Sequence, residues 1–79
     1  MNVQELPEQD RVQKALGEQI RKLRLKKGWS QKIMADLSGI SVRTIAQIER
    51  GEFEVRLSTL LAIAEAFRIT VSHLLRGLP

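Results

Sequence analysis

The stretch that most constrains this chain runs from Ser30 to Gly51, SQKIMADLSGISVRTIAQIERG. It reads as two short helices in immediate succession. Ser30 stands where a hydroxyl can accept a hydrogen bond from a free backbone N–H of a first helical turn. Met34 and Ala35 then lie on one side of that helix, and Ser38-Gly39 ends it, because glycine takes the left-handed conformation that a helix stop often needs. Ser41 caps the second helix in the same way. Ile45 and Ile48, three apart, form its buried stripe. Val42, Arg43, Thr44, Ala46 and Gln47 are left facing outward, and Gly51 closes the segment.

Helix, tight glycine turn and a second helix with polar residues at its N-terminal end are the layout of a DNA-binding helix-turn-helix. The ordered set Ser30-Gln31, Ala35, Gly39, Ser41, Thr44-Ile45 and Ile48-Glu49-Arg50-Gly51 resembles the phage-repressor family of Cro-like, xenobiotic-response-element type. The resemblance runs from about Leu16 to Leu75. The length, with the run Ala35-Asp36-Leu37-Ser38-Gly39, also resembles the small controller proteins of restriction–modification systems. The implied fold is all-α: a compact five-helix bundle of the lambda-repressor type.

Charge supports a polyanionic partner. The formal net charge is +4 over 79 residues, and it is unevenly placed. Residues 1–13 carry −2, residues 14–50 carry +6, and residues 51–79 balance. The excess thus belongs to the first helix and the two helices after it, as binding to a nucleic acid requires. A chain of this size forms one small domain with a modest core. It has no cysteine and a single histidine, His73, so neither a thiolate nor a histidine-cluster metal site is available. No cofactor is expected. No apolar run reaches the roughly 18–20 residues of a membrane span, and the N-terminus lacks an apolar signal core, so a cytoplasmic, nucleoid-associated location is expected. There is no catalytic triad spacing and no Gly-rich phosphate loop, hence no enzyme.

Residues 1–9 read as a flexible acidic arm, and residues 10–79 as the DNA-binding domain with a C-terminal dimerisation helix. Asp10 and Gln13 form a capping-box pattern that starts the first helix near Asp10. Val12, Leu16, Ile20 and Leu23 mark its apolar face, and Gly28 ends it. Trp29 is expected to close the first helix onto the second; stacking on a nucleobase, the functional alternative, suits single strands. Ile33 and Leu37 either pack on Trp29 or form a small exposed patch. Ser58 is expected to cap a fourth helix with Leu60, Leu61, Ala64 and Phe67 inward, and Thr70 a short fifth helix carrying Val71, Leu74 and Leu75.

The resemblance assigns roles. The family's base-contacting places fall on Val42, Arg43 and Gln47. Arg43 can donate two hydrogen bonds to guanine, Gln47 can pair both ways with adenine, and Val42 can lie against a thymine methyl. Gln31 matches a glutamine that bonds a phosphate and braces the reading helix. Ser41 and Thr44 offer hydroxyls to phosphate, and Lys32 and Arg50, with Lys27 after them, offer cations. Arg24 and Glu49 match an internal arginine–glutamate pair and are read as structural. The loop Glu52-Phe53-Glu54-Val55-Arg56 departs from the basic or polar loop usual in the family. It either swings from the DNA, or contacts it through Arg56 alone, or presents Glu52 and Glu54 to RNA polymerase.

One such domain reads few base pairs against about 10⁶–10⁹ competing sites, so a homodimer on a pseudo-palindromic operator is expected. The family often dimerises at its C-terminal end, which here places the seam on Val71, Leu74, Leu75 and Leu78. The expected function is sequence-specific transcription regulation, as repressor or activator. Two rivals stand beside it: a module that keeps the fold but bridges other proteins, and an antitoxin-like partner.

Overall fold

The structure, a computed structural model, describes residues 5–78, with side chains from Glu8 onward. Five helices follow in chain order: α1 (Glu5–Lys26), α2 (Gln31–Ser38), α3 (Val42–Glu49), α4 (Leu57–Phe67) and α5 (Val71–Leu74). No strand occurs among the described residues. α1 packs on α3, α2 packs on both α3 and α4, and α4 packs on α5. The core forms where these stripes meet: Leu16 and Ile20 of α1, Met34 of α2, Ile45 and Ile48 of α3, Ile63, Ala64 and Phe67 of α4, and Leu74 of α5. Fully burying an aliphatic side chain of this size contributes about 1.5–3 kcal/mol. The shared core therefore holds helices that would be too short to persist alone.

Four expectations are corrected. α1 begins at Glu5, upstream of the Asp10–Gln13 pattern. Pro7 falls in its first turn, where the amide hydrogen that proline lacks has no intrahelical partner. Residues 5–9 are thus helical, and the rest of the expected arm, residues 1–4, lies outside the described residues. α4 begins at Leu57 with Arg56 in the cap position and no side-chain cap, so Ser58 lies inside the first turn. The inward stripe of α4 is Leu60, Ile63, Ala64 and Phe67, the i, i+3, i+4, i+7 set of one helical face. Leu61 falls off that stripe and is 53% exposed. Leu74, assigned to a dimer seam, is completely buried and belongs to the core of its own chain.

Trp29 lies in the α1–α2 connection and packs against the core. Its ring stacks nearly parallel on Phe67, with centroids 5.2 Å apart. The same residue that follows the end of α1 thus joins it to α4. Ile33 and Leu37 do not join this packing; they are 44% and 55% exposed.

Candidate nucleic-acid interface

The α2–turn–α3 unit is built by its caps. The Ser30 hydroxyl accepts from the Ile33 amide at 3.0 Å, with Ser30 itself in extended backbone. Gly39 ends α2 at φ +75°, and its N–H donates to the Ala35 carbonyl at 2.9 Å. Ser38 stiffens the turn from both sides: its hydroxyl donates to the Met34 carbonyl at 2.7 Å and accepts from the Ile40 amide at 3.2 Å. The Ser41 hydroxyl then accepts from the Thr44 amide at 3.1 Å and donates to the Thr44 hydroxyl at 2.9 Å. Three residues, Gly39 to Ser41, therefore set the angle between the two helices, and most of their polar groups are committed to doing so.

Ile45 and Ile48 anchor α3 in the core, each 1% exposed. The opposite edge of the helix faces out. Val42 is 42% exposed, Arg43 is exposed, and Thr44, Ala46 and Gln47 are half-buried. The expected reading residues Val42, Arg43 and Gln47 thus share one outward edge. Lys32, Ser41 and Arg50 are also exposed. The Ser41 hydroxyl is already bonded to both the amide and the hydroxyl of Thr44, and the Thr44 hydroxyl accepts from Ser41.

A second network fixes the far end of α3. Arg24, buried against the core, reaches from α1 to Glu49. Its Nε donates to Glu49 Oε2 at 2.6 Å and its Nη2 to Oε1 at 3.0 Å. Its Nη1 donates to the Trp29 carbonyl at 2.8 Å. Gln31 adds a bond from its amide to Glu49 Oε1 at 3.2 Å. The hydrogen bonds to Glu49 raise the Arg24 pKa above its already high ordinary value; burial opposes this and the attraction of Glu49 reinforces it. One carboxylate at the end of α3 thus gathers groups from α1 and from the start of α2. Gln31, read as a phosphate contact and a brace, has its amide directed to that carboxylate.

Gly17, in the middle of α1, was not singled out from the sequence. A Cβ there would stand 2.2 Å from the Ile48 carbonyl oxygen and 2.9 Å from that of Glu49. Only a residue without a side chain lets α1 lie this close to the end of α3. The available signal was an isolated glycine inside an otherwise helical pattern, which often marks a close packing contact.

A helix-turn-helix family profile matches residues 20–74. The chain belongs to the helix-turn-helix family. It is 36% identical over 61 residues to the SPbeta prophage-derived uncharacterized HTH-type transcriptional regulator YonR of Bacillus subtilis, covering 77% of this chain and 56% of YonR. It is 36% identical over 64 residues to the control protein C.SmaI of Serratia marcescens, covering 81% of this chain and 76% of that one. Among solved structures, the restriction-modification controller protein C.AhdI from Aeromonas hydrophila superposes with a TM-score of 0.74 at 36% identity, over 80% of this chain and 94% of that chain. Both the family and the resemblance to controller proteins are thereby met. This chain spans about half the length of the longer regulators it matches.

In helix-turn-helix terms, α3 is the second helix of the motif. The four residues assigned to the expected seam are differently placed. Leu74 is interior, Val71 and Leu78 are half-buried against the core, and Leu75 alone of the four is exposed, at 36%. Larger apolar exposure lies on α4, at Leu57 (66%) and Leu61 (53%). Among the described residues no group of three metal-ligating side chains is gathered, and no helix is long and apolar enough to cross a membrane.

Proposed function

We propose that this chain is a sequence-specific DNA-binding transcription regulator that reads duplex DNA by seating α3 in the major groove. The observation that carries this reading is the outward edge of α3, bearing Val42, Arg43 and Gln47 on a helix fixed at both ends. An eight-residue helix is about 12 Å long, and the major groove, about 12 Å wide, admits a helix. Arg43 donates to guanine O6 and N7, Gln47 pairs with adenine N6 and N7, and Val42 covers a thymine methyl. Each bidentate pair supplies about 1–3 kcal/mol of discrimination. Gln31, Lys32, Ser41, Thr44 and Arg50 contact phosphates, which set register and carry no sequence information.

The protein acts as a homodimer on a pseudo-palindromic operator, with half-sites about 10–10.5 base pairs apart or a multiple of that. Its seam uses Leu75 with the exposed leucines of α4, Leu57 and Leu61, since Leu74 is not available. It works in the cytoplasm, at the nucleoid. Where it activates, Glu54 in the loop after α3 is the carboxylate offered to RNA polymerase; Glu52 is already bonded to Arg50.

Selection from a pool of random duplex DNA, run in parallel with Arg43→Ala, tests the reading. An enriched inverted repeat, with one position per half-site relaxed in the variant, is expected. Folded protein that enriches no motif at moderate salt overturns it. The exposed pair Ile33 and Leu37 favours the second reading, a module that bridges other proteins, and weight then moves there.

A further inference from the structure

Arg50 and Glu52 form the second ion pair among the described residues, outside the buried network. Arg50 is the residue that caps the C-terminal end of α3, and its amide donates to the Ala46 carbonyl. Its Nε donates to Glu52 Oε1 at 3.0 Å, with the two side chains 56% and 59% exposed. The Glu52 backbone is held in place. Its amide donates to the Gln47 carbonyl at 2.9 Å, and the intervening Gly51 turns the chain at φ +74° against α1, where a Cβ would meet Lys14 Cγ at 2.6 Å. Backbone bonds and a close approach, more than the ion pair itself, therefore keep this carboxylate beside the guanidinium.

A carboxylate and a phosphate accept the same charge-assisted hydrogen bonds from arginine. They compete for Arg50. We propose that Glu52 is an internal phosphate mimic that occupies Arg50 in the free protein and thereby sets the strength of the sequence-independent part of DNA binding. The proposal rests on the DNA-binding reading above and deepens it. When DNA arrives, Arg50 must leave Glu52, or be shared, before it can neutralise a phosphate, and Glu52 is brought toward the phosphate chain. Base readout by Arg43 and Gln47 is untouched. The consequence is a uniform lowering of affinity, which reduces binding to the bulk of the genome without altering which bases are preferred. Glu54, two residues on, makes no ion pair among the described residues and is the natural control.

The test uses a mixed-sequence duplex of fixed length and fluorescence anisotropy across a salt series, because the phosphate contribution needs no operator. Wild type, Glu52→Gln, Arg50→Gln, the double variant and Glu54→Gln are compared. All three positions of substitution are exposed and none supports the core, so folding is checked only by melting. Exposed pairs are worth about 0.2–1 kcal/mol. Glu52→Gln is thus expected to tighten binding by roughly 1.4-fold to fivefold. The slope of log K against log salt should steepen by up to about 0.9, the value of one further phosphate neutralised. Arg50→Gln should weaken binding little in wild type and markedly more in the Glu52→Gln background.

Equal tightening by Glu52→Gln with and without Arg50, or an equal effect of Glu54→Gln, would reduce the result to net charge and overturn the mimic. Unchanged affinity and slope in Glu52→Gln would overturn it as well. Wild-type protein with no salt-dependent affinity for any duplex is a different failure: it removes the DNA-binding reading and this inference with it.

Discussion

Replacing Arg24 by methionine tests the buried network most directly. Methionine keeps a straight chain of similar reach, so the packing of the stem is largely kept while the guanidinium is lost. The structure sets the magnitude. The Arg24 and Glu49 side chains are 9% and 4% exposed. Arg24→Met removes two bonds to the Glu49 carboxylate and one to the Trp29 carbonyl. Glu49 is left buried with only the Gln31 amide at 3.2 Å. Stranding one member of such a pair costs about 3–5 kcal/mol. At roughly 0.05–0.15 kcal/mol per residue the whole domain holds about 4–12 kcal/mol, so the loss is about a quarter of its stability at least. At about 4–8 °C per kcal/mol, Tm should fall by about 12 °C or more. Because folded Arg24 has its pKa raised above the unfolded value, its contribution is fully present below that value and is lost only as pH climbs past the folded one. That window lies far into alkali, so protonation of Arg24 adds no pH dependence near neutrality.

The assay is urea unfolding followed by Trp29, the single tryptophan of the chain, whose ring rests on Phe67. The midpoint should fall with the slope unchanged. The double variant Arg24→Met/Glu49→Leu removes both charges, and it should recover a large part of the loss, since a buried pair replaced by apolar groups is often near neutral. A single variant that unfolds at the wild-type midpoint refutes the buried pair. If that variant also loses DNA binding, Arg24 is a phosphate contact instead.

Two further predictions concern backbone geometry. Gly17→Ala should destabilise by about 1–3 kcal/mol, because the methyl meets main-chain oxygens that cannot turn aside; at a free helical position the same change would gain up to about 1 kcal/mol, so a raised Tm would refute the close approach of α1 to α3. Arg68 ends α4 in the left-handed region at φ +57°, and Arg68→Gly should gain about 0.5–1 kcal/mol in thermal unfolding after the entropy that glycine adds to the unfolded chain is counted; an unchanged or lower Tm would show that the Arg68 side chain supplies something the turn needs.

Local chemistry made much of the motif legible. Ser30, Ser41 and Thr70 cap their helices as hydroxyls before apolar-periodic runs should, because a cap bond spans only three residues and is written in neighbouring positions. Gly39 as a stop, the apolar stripe of Ile45 and Ile48, and hence the outward edge of α3, follow from the same short range. The Arg24–Glu49 partnership was legible only through family resemblance, since nothing local joins two residues 25 apart.

What the tertiary structure alone decided depends on neighbours distant in sequence. Leu61 and Ile63 are both good core residues by composition, and α4 chose Ile63 because its stripe, set by the helices it packs on, starts at Leu60. Leu74 and Leu75 are identical side chains; rotation of α5 against α4 buried the first and left the second exposed. Ser58 lost its cap role because α4 begins at Leu57, one residue before it. Gly17 gained its meaning only when the end of α3 arrived against it. The sequence by itself determined which segments are helical and which polar groups tie off most of their ends, because those energies are local. The faces that meet, the pairs that lock and the leucines left in water were decided by packing, because each is the outcome of several helices competing for one small core.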